Sequence, residues 1–168
     1  IFEDRDGILW FGTWEDGISA YDRSTFSTYT AADGLPGDVH LGGLETRDGA
    51  LWLDSQGGGG AGATRYDGSS FASFKGQAGV AGLVSAPLLE DGDGTLWFGA
   101  DYYHHASIAR YRHGRLALFT AADGVPEGAM RSLVRDRQGH LWIATWGAGI
   151  CRFDGRRFTT YTSVDGLA

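Results

Sequence analysis

The sequence predicts an all-β protein, a β-propeller array of four repeats, or blades, with about four antiparallel strands in each. Three observations predict this fold class. A Gly-x-Leu-Trp motif recurs with a period of roughly 45 residues, which is typical of propeller blades. The chain of 168 residues contains 28 glycines, which supply the positive φ angles of tight turns, and it shows almost no helical periodicity. The motif places tryptophans at positions 10, 52, 97 and 142, and we expect these four side chains to lie in the core.

The four predicted blades follow one another along the chain as a single array. In each blade a polar turn precedes the Gly-x-Leu-Trp strand, a pattern typical of a β-hairpin. The blades are predicted to cover residues 1–38, 39–85, 86–129 and 130–168. Their strands, named A to D in chain order, are predicted at Ile1–Asp4, Leu9–Thr13, Ile18–Tyr21, Phe26–Thr30; Val39–Glu45, Leu51–Asp54, Ala63–Tyr66, Phe71–Phe74; Ala86–Glu90, Leu96–Ala100, Ile108–Tyr111, Leu116–Thr120; Met130–Arg135, Leu141–Thr145, Ile150–Phe153 and Phe158–Thr162.

The connections between these strands differ from blade to blade. Irregular links are predicted at Asp33–Pro36 and Asp123–Pro126, and a shortened copy of the same link lies at Asp165–Ala168. The B-to-C loops of blades 2 and 3, residues 55–62 and 101–107, are longer than those of the other two blades. Their extra length is either related to a ligand or the result of sequence drift.

Composition and charge exclude several classes of protein. The formal net charge is −7 and Lys75 is the single lysine, so no basic stripe predicts a nucleic-acid partner. No apolar run approaches the length of a membrane span. The single cysteine, Cys151, lies in an apolar stretch and is expected to be a small buried side chain. Because Ile1 falls inside the first repeat, we expect the natural start of the protein to lie upstream or to have been removed.

Motifs for cofactor, metal or catalytic chemistry are weak. Gly57-x-Gly59-x-x-Gly62 matches a dinucleotide fingerprint but no helix is predicted after it, so we predict no cofactor. His104 and His105 lack an identifiable third ligand, so no metal site is predicted. The acidic stretch at residues 90–94 is interpreted as a hairpin turn rather than as a calcium loop. The common nucleophile and phosphate-binding motifs are absent, so no catalytic residue is predicted.

A ligand site is predicted on one face of the blades. Antiparallel strands place the B-to-C loops and the D-to-A links on one face, here called the B-to-C face, and the A-to-B and C-to-D turns on the opposite A-to-B face. Aromatic rings beside carboxylates and imidazoles suit a sugar or another polar, neutral or cationic ligand. For the two tryptophans involved, filling the core is the alternative. The candidate residues are Trp14, Glu15, Asp16, Asp101, Tyr102, Tyr103, His104, His105 and Trp146.

Taken together, these motifs resemble one known repeat family. The link Asp33-Gly34-Leu35-Pro36, a turn and strand such as Glu90–Gly99, then Gly17-Ile18 and Tyr21-Asp22 are similar to the two-component regulator propeller repeat. The resemblance is weaker to propellers of the streptogramin-lyase type. It implies the sensor part of a bacterial regulator on the periplasmic or extracellular side, often one that responds to glycans. The chain departs from the pattern in lacking asparagine, in losing the Gly-Leu-Pro link near residues 79–82 and in its two longer loops.

Three functional hypotheses follow. The first is a ligand-sensing or interaction module that binds a small molecule or glycan. The second is a propeller lyase or hydrolase, in which His104 or His105 acts as general base beside Asp101 or Glu127. The third is a structural fragment of a larger propeller that keeps the fold without a function of its own.

The ends of the blade array raise a question of assembly. A blade buries its aromatic strands against a neighbouring blade, so an open row of four would leave two apolar faces uncovered. Closure within one chain, pairing of two chains or further blades of a larger protein would each cover them. We expect self-association, most simply a two-fold dimer with eight blades in one ring.

Overall fold

The structure is a computed structural model that describes residues 1–13, 16–35, 42–55, 62–74, 88–100 and 107–167. These residues form sixteen strands in four antiparallel sheets of four strands each, and each sheet is one blade. The described residues contain no α-helix, and their helical segments are three 3₁₀ turns of three residues each. The all-β, four-bladed prediction is therefore confirmed. None of the described helical segments has the length and apolar character of a membrane span.

The chain divides into two compact units, each with two blades. Unit 1 covers Ile1–Ala86 and unit 2 covers Pro87–Ala168. In all four blades the spatial order of the strands is their chain order. The strands of unit 1 are β1 Phe2–Glu3, β2 Leu9–Gly12, β3 Ile18–Tyr21, β4 Phe26–Tyr29, β5 Gly43–Glu45, β6 Leu51–Ser55, β7 Gly62–Tyr66 and β8 Phe71–Ser73.

Unit 2 repeats the same arrangement. Its strands are β9 Leu88–Glu90, β10 Leu96–Ala100, β11 Ser107–Arg112, β12 Arg115–Phe119, β13 Ala129–Arg135, β14 Leu141–Trp146, β15 Ile150–Phe153 and β16 Phe158–Tyr161. Each of the sixteen predicted strands overlaps one of these, with differences only at the ends. The predicted beginnings of strand A in blades 2 and 3, residues 39–41 and 86–87, lie outside the described residues. That the four blades form a single array stays a prediction.

A recurring contact joins the A-to-B turn to the core tryptophan of the same blade. The indole Nε1 donates a hydrogen bond to an aspartate six residues earlier, over 2.7 Å from Trp10 to Asp4 and 2.9 Å from Trp97 to Asp91. The same bond in blade 4, from Trp142, is 2.7 Å long. The other carboxylate oxygen caps the turn, as where Asp4 accepts the backbone N–H of Ile8 at 2.9 Å. One side chain thus fixes the hairpin and satisfies the buried N–H.

Blade 2 replaces this contact with a different one. Thr46 occupies the position of the aspartate, is only 3% exposed and donates to Asp48 at 2.6 Å. Asp48 in turn caps the turn by accepting the backbone N–H of Ala50 at 3.3 Å. Trp52 is 1% exposed and stacks on Phe74 with ring centroids 5.2 Å apart. The tryptophan is therefore buried in blade 2 as well, although its turn is capped by a residue two positions later.

Aromatic side chains join the two blades of each unit. In unit 1, Trp10 meets Tyr66 of the next blade edge-on at 5.6 Å. In unit 2, Trp97 meets Phe153 in the same way at 5.6 Å. A strand D ring completes each cluster, since Tyr29 lies 5.8 Å from Tyr66 and an equivalent contact recurs in unit 2. Aromatic packing of this kind adds to the burial of apolar area, so the two blades of a unit stabilise each other.

The predicted core position is confirmed for three of the four repeat tryptophans. Trp10, Trp52 and Trp97 are each no more than 3% exposed. Trp142 is only half-buried, although its indole is held by Asp136 and its ring stacks on Tyr161 at 5.7 Å. Strand C of the second blade covers Trp10 and Trp97 in the first blade of each unit. Blade 4 is the second blade of unit 2, but blade 2 is the second blade of unit 1 and its Trp52 is buried, so position within the unit does not by itself explain the exposure of Trp142.

The links after strand D are more ordered than predicted. Residues Ala31–Asp33 form a 3₁₀ turn in which Asp33 accepts the backbone N–H of Thr30 at 2.8 Å. Gly34 ends the turn with a φ of 103°, a left-handed conformation that favours glycine. Leu35 then enters the core at 4% exposure. The same turn recurs at Ala121–Asp123 and Ser163–Asp165. Each predicted irregular link begins at the last residue of such a turn, and its described residues after that belong to no strand or helix.

Cys151 occupies the predicted environment. It is fully buried in β15, opposite Ile143 of β14. Burial raises the pKa of the thiol, because the charged thiolate is disfavoured away from water. The side chain therefore acts as a small apolar group rather than as a nucleophile.

Removal of the Asp91 carboxylate tests the contact between turn and tryptophan. Asp91 is 7% exposed and accepts from both Trp97 and Arg135. We expect Asp91→Ala to lower the free energy of unfolding by about 3 kcal/mol, because it leaves two donors without their acceptor. Urea denaturation measures the change.

Asp6→Ala is the matched control, because Asp6 is an exposed carboxylate in an equivalent turn. Its substitution should change the free energy of unfolding by less than about 0.5 kcal/mol. Equal midpoints for the two variants would show that the carboxylate of Asp91 does not stabilise the blade.

Candidate functional site

The structure describes two of the nine predicted site residues. Asp16 is exposed in the B-to-C turn of blade 1, where its backbone N–H donates to Oγ1 of Thr13 at 3.1 Å. Trp146 lies at the end of β14 in blade 4 and is 71% exposed. Trp14, Glu15, Asp101, Tyr102, Tyr103, His104 and His105 lie outside the described residues, so their role stays a prediction.

The B-to-C turn of blade 4 presents Trp146 to solvent. Thr145 closes the turn, since its backbone N–H and its Oγ1 both donate to the carbonyl of Gly149, at 3.1 and 2.8 Å. Gly147 and Gly149 have φ values of 84° and 83°, which an L side chain rarely adopts. The alternative that Trp146 fills the core is wrong, because the strand carries its side chain beyond the buried layer.

A β-bulge places an arginine over this tryptophan. The register between β13 and β14 shifts between Met130 and Ser132, so Arg131 is the extra residue. Its guanidinium carbon lies 4.9 Å from the centre of the Trp146 ring. Bulges re-aim side chains, and an exposed cation–π contact contributes about 0.5–1 kcal/mol. We call Trp146 and Arg131 the blade 4 platform, an exposed aromatic ring with a guanidinium over it.

The structure adds a second kind of candidate site, a cleft between the two blades of each unit on the A-to-B face. The unit 1 cleft has a volume of about 300 Å³ and the unit 2 cleft about 480 Å³. Both have the core tryptophan of the first blade and the strand C aromatic of the second blade in their walls. The charged residues around the unit 1 cleft are Asp4, Asp6, Asp22 and Glu45, and those around the unit 2 cleft are Asp91, Asp93, Arg110, Arg112 and Arg135.

The carboxylates of the unit 1 cleft are engaged in local contacts. Hydrogen bonds from the Ser24 hydroxyl and from the backbone N–H groups of Thr25 and Ser24 hold the pKa of Asp22 far below its usual value. Glu45 pairs with Arg5 at 3.1 Å. Burial, aided by a hydrogen bond with Tyr29, raises the pKa of Tyr66 to about 12, so the phenol stays neutral. The unit 1 cleft therefore has carboxylates around its entrance and the rings of Trp10 and Tyr66 in its wall.

The unit 2 cleft has the same frame with the opposite charge. Arg110 pairs with Trp97 in the strand register as Ala20 pairs with Trp10. Likewise Arg112, next to the strand C tyrosine, occupies the position that Asp22 holds in unit 1. A further exchange puts Arg135, opposite Leu141, where unit 1 has Glu45 opposite Leu51. Three equivalent positions thus change from neutral or acidic to basic.

These clefts were missed from the sequence, although one signal was visible. The strand C aromatic is followed by aspartate in Tyr21-Asp22, Tyr66-Asp67 and Phe153-Asp154 but by arginine in Tyr111-Arg112. The charge reversal could be seen by aligning the repeats. That the reversed residue lies beside two further arginines depends on the packing of blade 3 against blade 4, which the sequence does not give.

The described part of the chain contains no group of three or more His, Cys, Asp or Glu side chains that could hold a metal ion. The nearest arrangement is a pair, in which Nδ1 of His140 lies 3.1 Å from Asp136. Asp136 also accepts the indole N–H of Trp142, so this pair belongs to the A-to-B turn. The acidic residues 90–94 form the predicted hairpin turn, closed by the backbone N–H of Asp91 and the carbonyl of Thr95 at 2.8 Å.

Fold and repeat together define a protein of the β-propeller repeat class. Within this class, residues 1–15 and 124–147 match the family model described as the two component regulator propeller. These two segments therefore match the repeat that the motifs of the sequence resemble. No curated protein matches the chain.

Solved structures with the same fold include extracellular domains described as parts of two component systems and a gluconolactonase. The extracellular domain described as that of the hybrid two component system BT3049 from B. thetaiotaomicron matches with a TM-score of 0.74, 18% identity and 92% of this chain covered. That of BT4673 from the same organism matches with a TM-score of 0.76, 18% identity and 98% of this chain covered. The gluconolactonase XC5397 from Xanthomonas campestris matches with a TM-score of 0.62, 18% identity and 95% of this chain covered.

The chain spans only part of each of these proteins. It covers 21% of the BT3049 chain, 23% of the BT4673 chain and 60% of the gluconolactonase chain. At this level of identity the likeness concerns the fold alone. The functions of the complete proteins do not pass to this chain by similarity.

Two glycines of the blade 4 turn provide a matched test of the loop that presents Trp146. A Cβ at Gly149 would lie 2.1 Å from the carbonyl oxygen of Tyr161, whereas a Cβ at Gly147 would meet open space. Both residues have nearly the same φ. We expect Gly147→Ala to cost about 1 kcal/mol from backbone strain and Gly149→Ala about 3 kcal/mol, because overpacking adds to that strain. Thermal or urea unfolding of both variants measures the difference, and equal losses would contradict the close approach.

Proposed function

We propose that this chain is a ligand-sensing or interaction module of a two-component regulator, on the periplasmic or extracellular side. Two lines of reasoning support the proposal. The repeats match the two component regulator propeller, and two of the structures with the same fold are extracellular domains of proteins described as two-component systems. The described residues supply surfaces for binding rather than an arrangement of nucleophile, base and orienting group.

The ligand we propose is a polar, uncharged molecule, with carbohydrate as the leading class. One observation carries this step, the 71% exposure of Trp146. Leaving so large an aromatic surface in water forgoes the free energy of its burial, and loops on a rigid scaffold commonly bear function. The apolar face of a sugar ring stacks on the exposed surface of such a side chain. Trp14, Glu15, Asp16, Asp101, Tyr102, Tyr103, His104 and His105 are proposed to complete the contact surface.

Fewer observations support the enzymatic alternative than support ligand binding. A lyase or hydrolase would use His104 or His105, with Asp101 or Glu127 orienting the base. Glu127 is exposed in the link that leads into β13, whereas the other three residues lie outside the described part of the chain. The gluconolactonase shares the fold at a lower TM-score than the two sensor domains. Screening for turnover with wild-type protein and His105→Ala distinguishes this alternative from binding alone.

Substitution of Trp146 tests the proposed carbohydrate site. We expect a glycan array or thermal-shift screen to identify a ligand for the wild-type chain, and Trp146→Ala to weaken it about tenfold, because the stacking surface is lost. Trp146→Phe should retain part of the affinity, since an aromatic face remains. Trp14→Ala and Tyr103→Ala extend the test to the rest of the proposed surface.

Val134→Ala is the control, because Val134 is an exposed apolar residue of the same blade that lies outside the platform, at 57% exposure. Binding should be unchanged in this variant. If a glycan bound equally well to the Trp146, Trp14 and Tyr103 variants, and all three kept the β-rich circular dichroism spectrum of the wild type, the site would not lie on the B-to-C face.

For assembly we propose that the apolar ends of the blade row are covered by self-association, as a two-fold dimer. The half-buried Trp142 supports this, because the equivalent tryptophans of the other blades are covered. Light scattering at high protein concentration is expected to give the mass of two chains. A strict monomer would contradict the dimer and favour closure within one chain. A variant such as Trp142→Ser serves as a comparison, since it should weaken association without adding apolar surface.

A further inference from the structure

The unit 2 cleft contains one cation more than its carboxylates can neutralise. Arg112 pairs with Asp93 at 2.9 Å, and Arg135 pairs with the buried Asp91. Arg110 is the third guanidinium of the cleft, and no carboxylate among the described residues lies within ion-pair distance of it. From this arrangement we infer that the unit 2 cleft is a binding site for a small organic anion with one carboxylate group, and that Arg110 is its counter-ion. The inference is independent of the carbohydrate site proposed on the opposite face.

Aromatic rings hold the Arg110 side chain in place. Its guanidinium carbon lies 5.8 Å from the ring centre of Trp97 and 5.3 Å from that of Phe119. The residue is half-buried, so part of its hydration is already lost. A guanidinium held flat against rings keeps its in-plane N–H donors, and these fit a carboxylate with two parallel hydrogen bonds. Because the side chain is already ordered, little rotamer entropy is lost when an anion binds.

The other two arginines are each paired with a carboxylate, so the excess positive charge of the cleft is that of Arg110. In Arg135 one terminal nitrogen donates to Asp91 and the other donates to the carbonyl of Gly139. Its Nε is buried and has no hydrogen-bond partner within the described structure. Arg112 and Asp93 are each 49% exposed, so their ion pair is screened by solvent. An anion at Arg110 would therefore meet a cleft that attracts it, although the whole chain carries a net charge of −7.

The size and walls of the cleft restrict the class of ligand. A volume of about 480 Å³ lies within the range of small-molecule sites. Trp97 and Phe153 form part of the wall, so the site takes a compact organic body in addition to the charged group. An inorganic ion would fill only a small part of this volume. We therefore expect a small carboxylic acid to bind more tightly than sulfate.

The unit 1 cleft is an internal negative control. It has the same frame, but Ala20 and Asp22 occupy the positions of Arg110 and Arg112. Its carboxylates repel an anion, so one chain is expected to offer one anion site and not two. A binding stoichiometry of one ligand per chain follows.

Isothermal titration calorimetry with sodium glucuronate, sodium butyrate, sodium sulfate and the neutral sugar glucose tests the inference on the wild-type chain. We expect the carboxylates to bind with a stoichiometry of one, sulfate to bind more weakly and glucose not to compete. Arg110→Ala, which introduces the residue that unit 1 has at this position, should weaken carboxylate binding about tenfold or more. Arg112→Asp, which introduces the charge of Asp22, should do the same through repulsion.

Arg152→Ala is the matched control. Arg152 holds the same strand position in blade 4 and packs on Trp142 at 5.9 Å, but it does not line the unit 2 cleft. It should bind carboxylates like the wild type, and so should Trp146→Ala, which separates this site from the carbohydrate platform. The inference is overturned if no carboxylate binds the wild type, if glucose binds as well as glucuronate, or if folded Arg110→Ala and Arg112→Asp both keep wild-type affinity.

Discussion

The hydrogen bond from a tryptophan indole to an aspartate in the A-to-B turn is the contact on which each blade depends in three of the four repeats. It connects a buried N–H, which cannot be left without a partner, to the carboxylate that also caps the hairpin. The hairpin and the core side chain therefore form together. The large ring is then placed where the next blade of the unit covers it, as Tyr66 covers Trp10. Local turn geometry and packing between blades are thus coupled through one side chain.

Because this frame is fixed by few residues, the remaining positions of the blade are free to vary in charge. Blade 2 keeps a buried tryptophan although Thr46 replaces the aspartate and Asp48, two positions later, caps the turn. The two clefts show the same freedom, since Asp22 and Arg112 occupy equivalent positions next to similar strands. Repetition of the scaffold thereby gives one chain two recesses of similar shape and opposite charge. Such variation on a constant frame is how repeat proteins acquire different sites without a change of fold.

The candidate site could be predicted only in part. The side of the blade on which loops gather follows from strand alternation, and the exposure of Trp146 agrees with that argument. The contact of Trp146 with Arg131 could not be predicted in this way, because Arg131 reaches the ring through a β-bulge that no sequence pattern indicates. The half-buried state of Trp142 was missed for a related reason. Its Gly-x-Leu-Trp motif is the same as that of Trp97, so the motif alone does not predict which of the two rings is covered.

By itself the sequence determined the secondary-structure elements of this protein. The spacing of the tryptophans, the Asp-Gly turns and the alternation of apolar residues fix sixteen strands and their hairpins, because these are local preferences of the backbone and of side-chain burial. The tertiary structure alone decided which residues of one blade meet those of the next. Arg110, Arg112 and Arg135 lie up to 25 positions apart, and their meeting around one cleft depends on the packing of blade 4 against blade 3. Charges interact through space over several ångströms, so the charge of the cleft depends on which residues the packing brings together and not on their order along the chain.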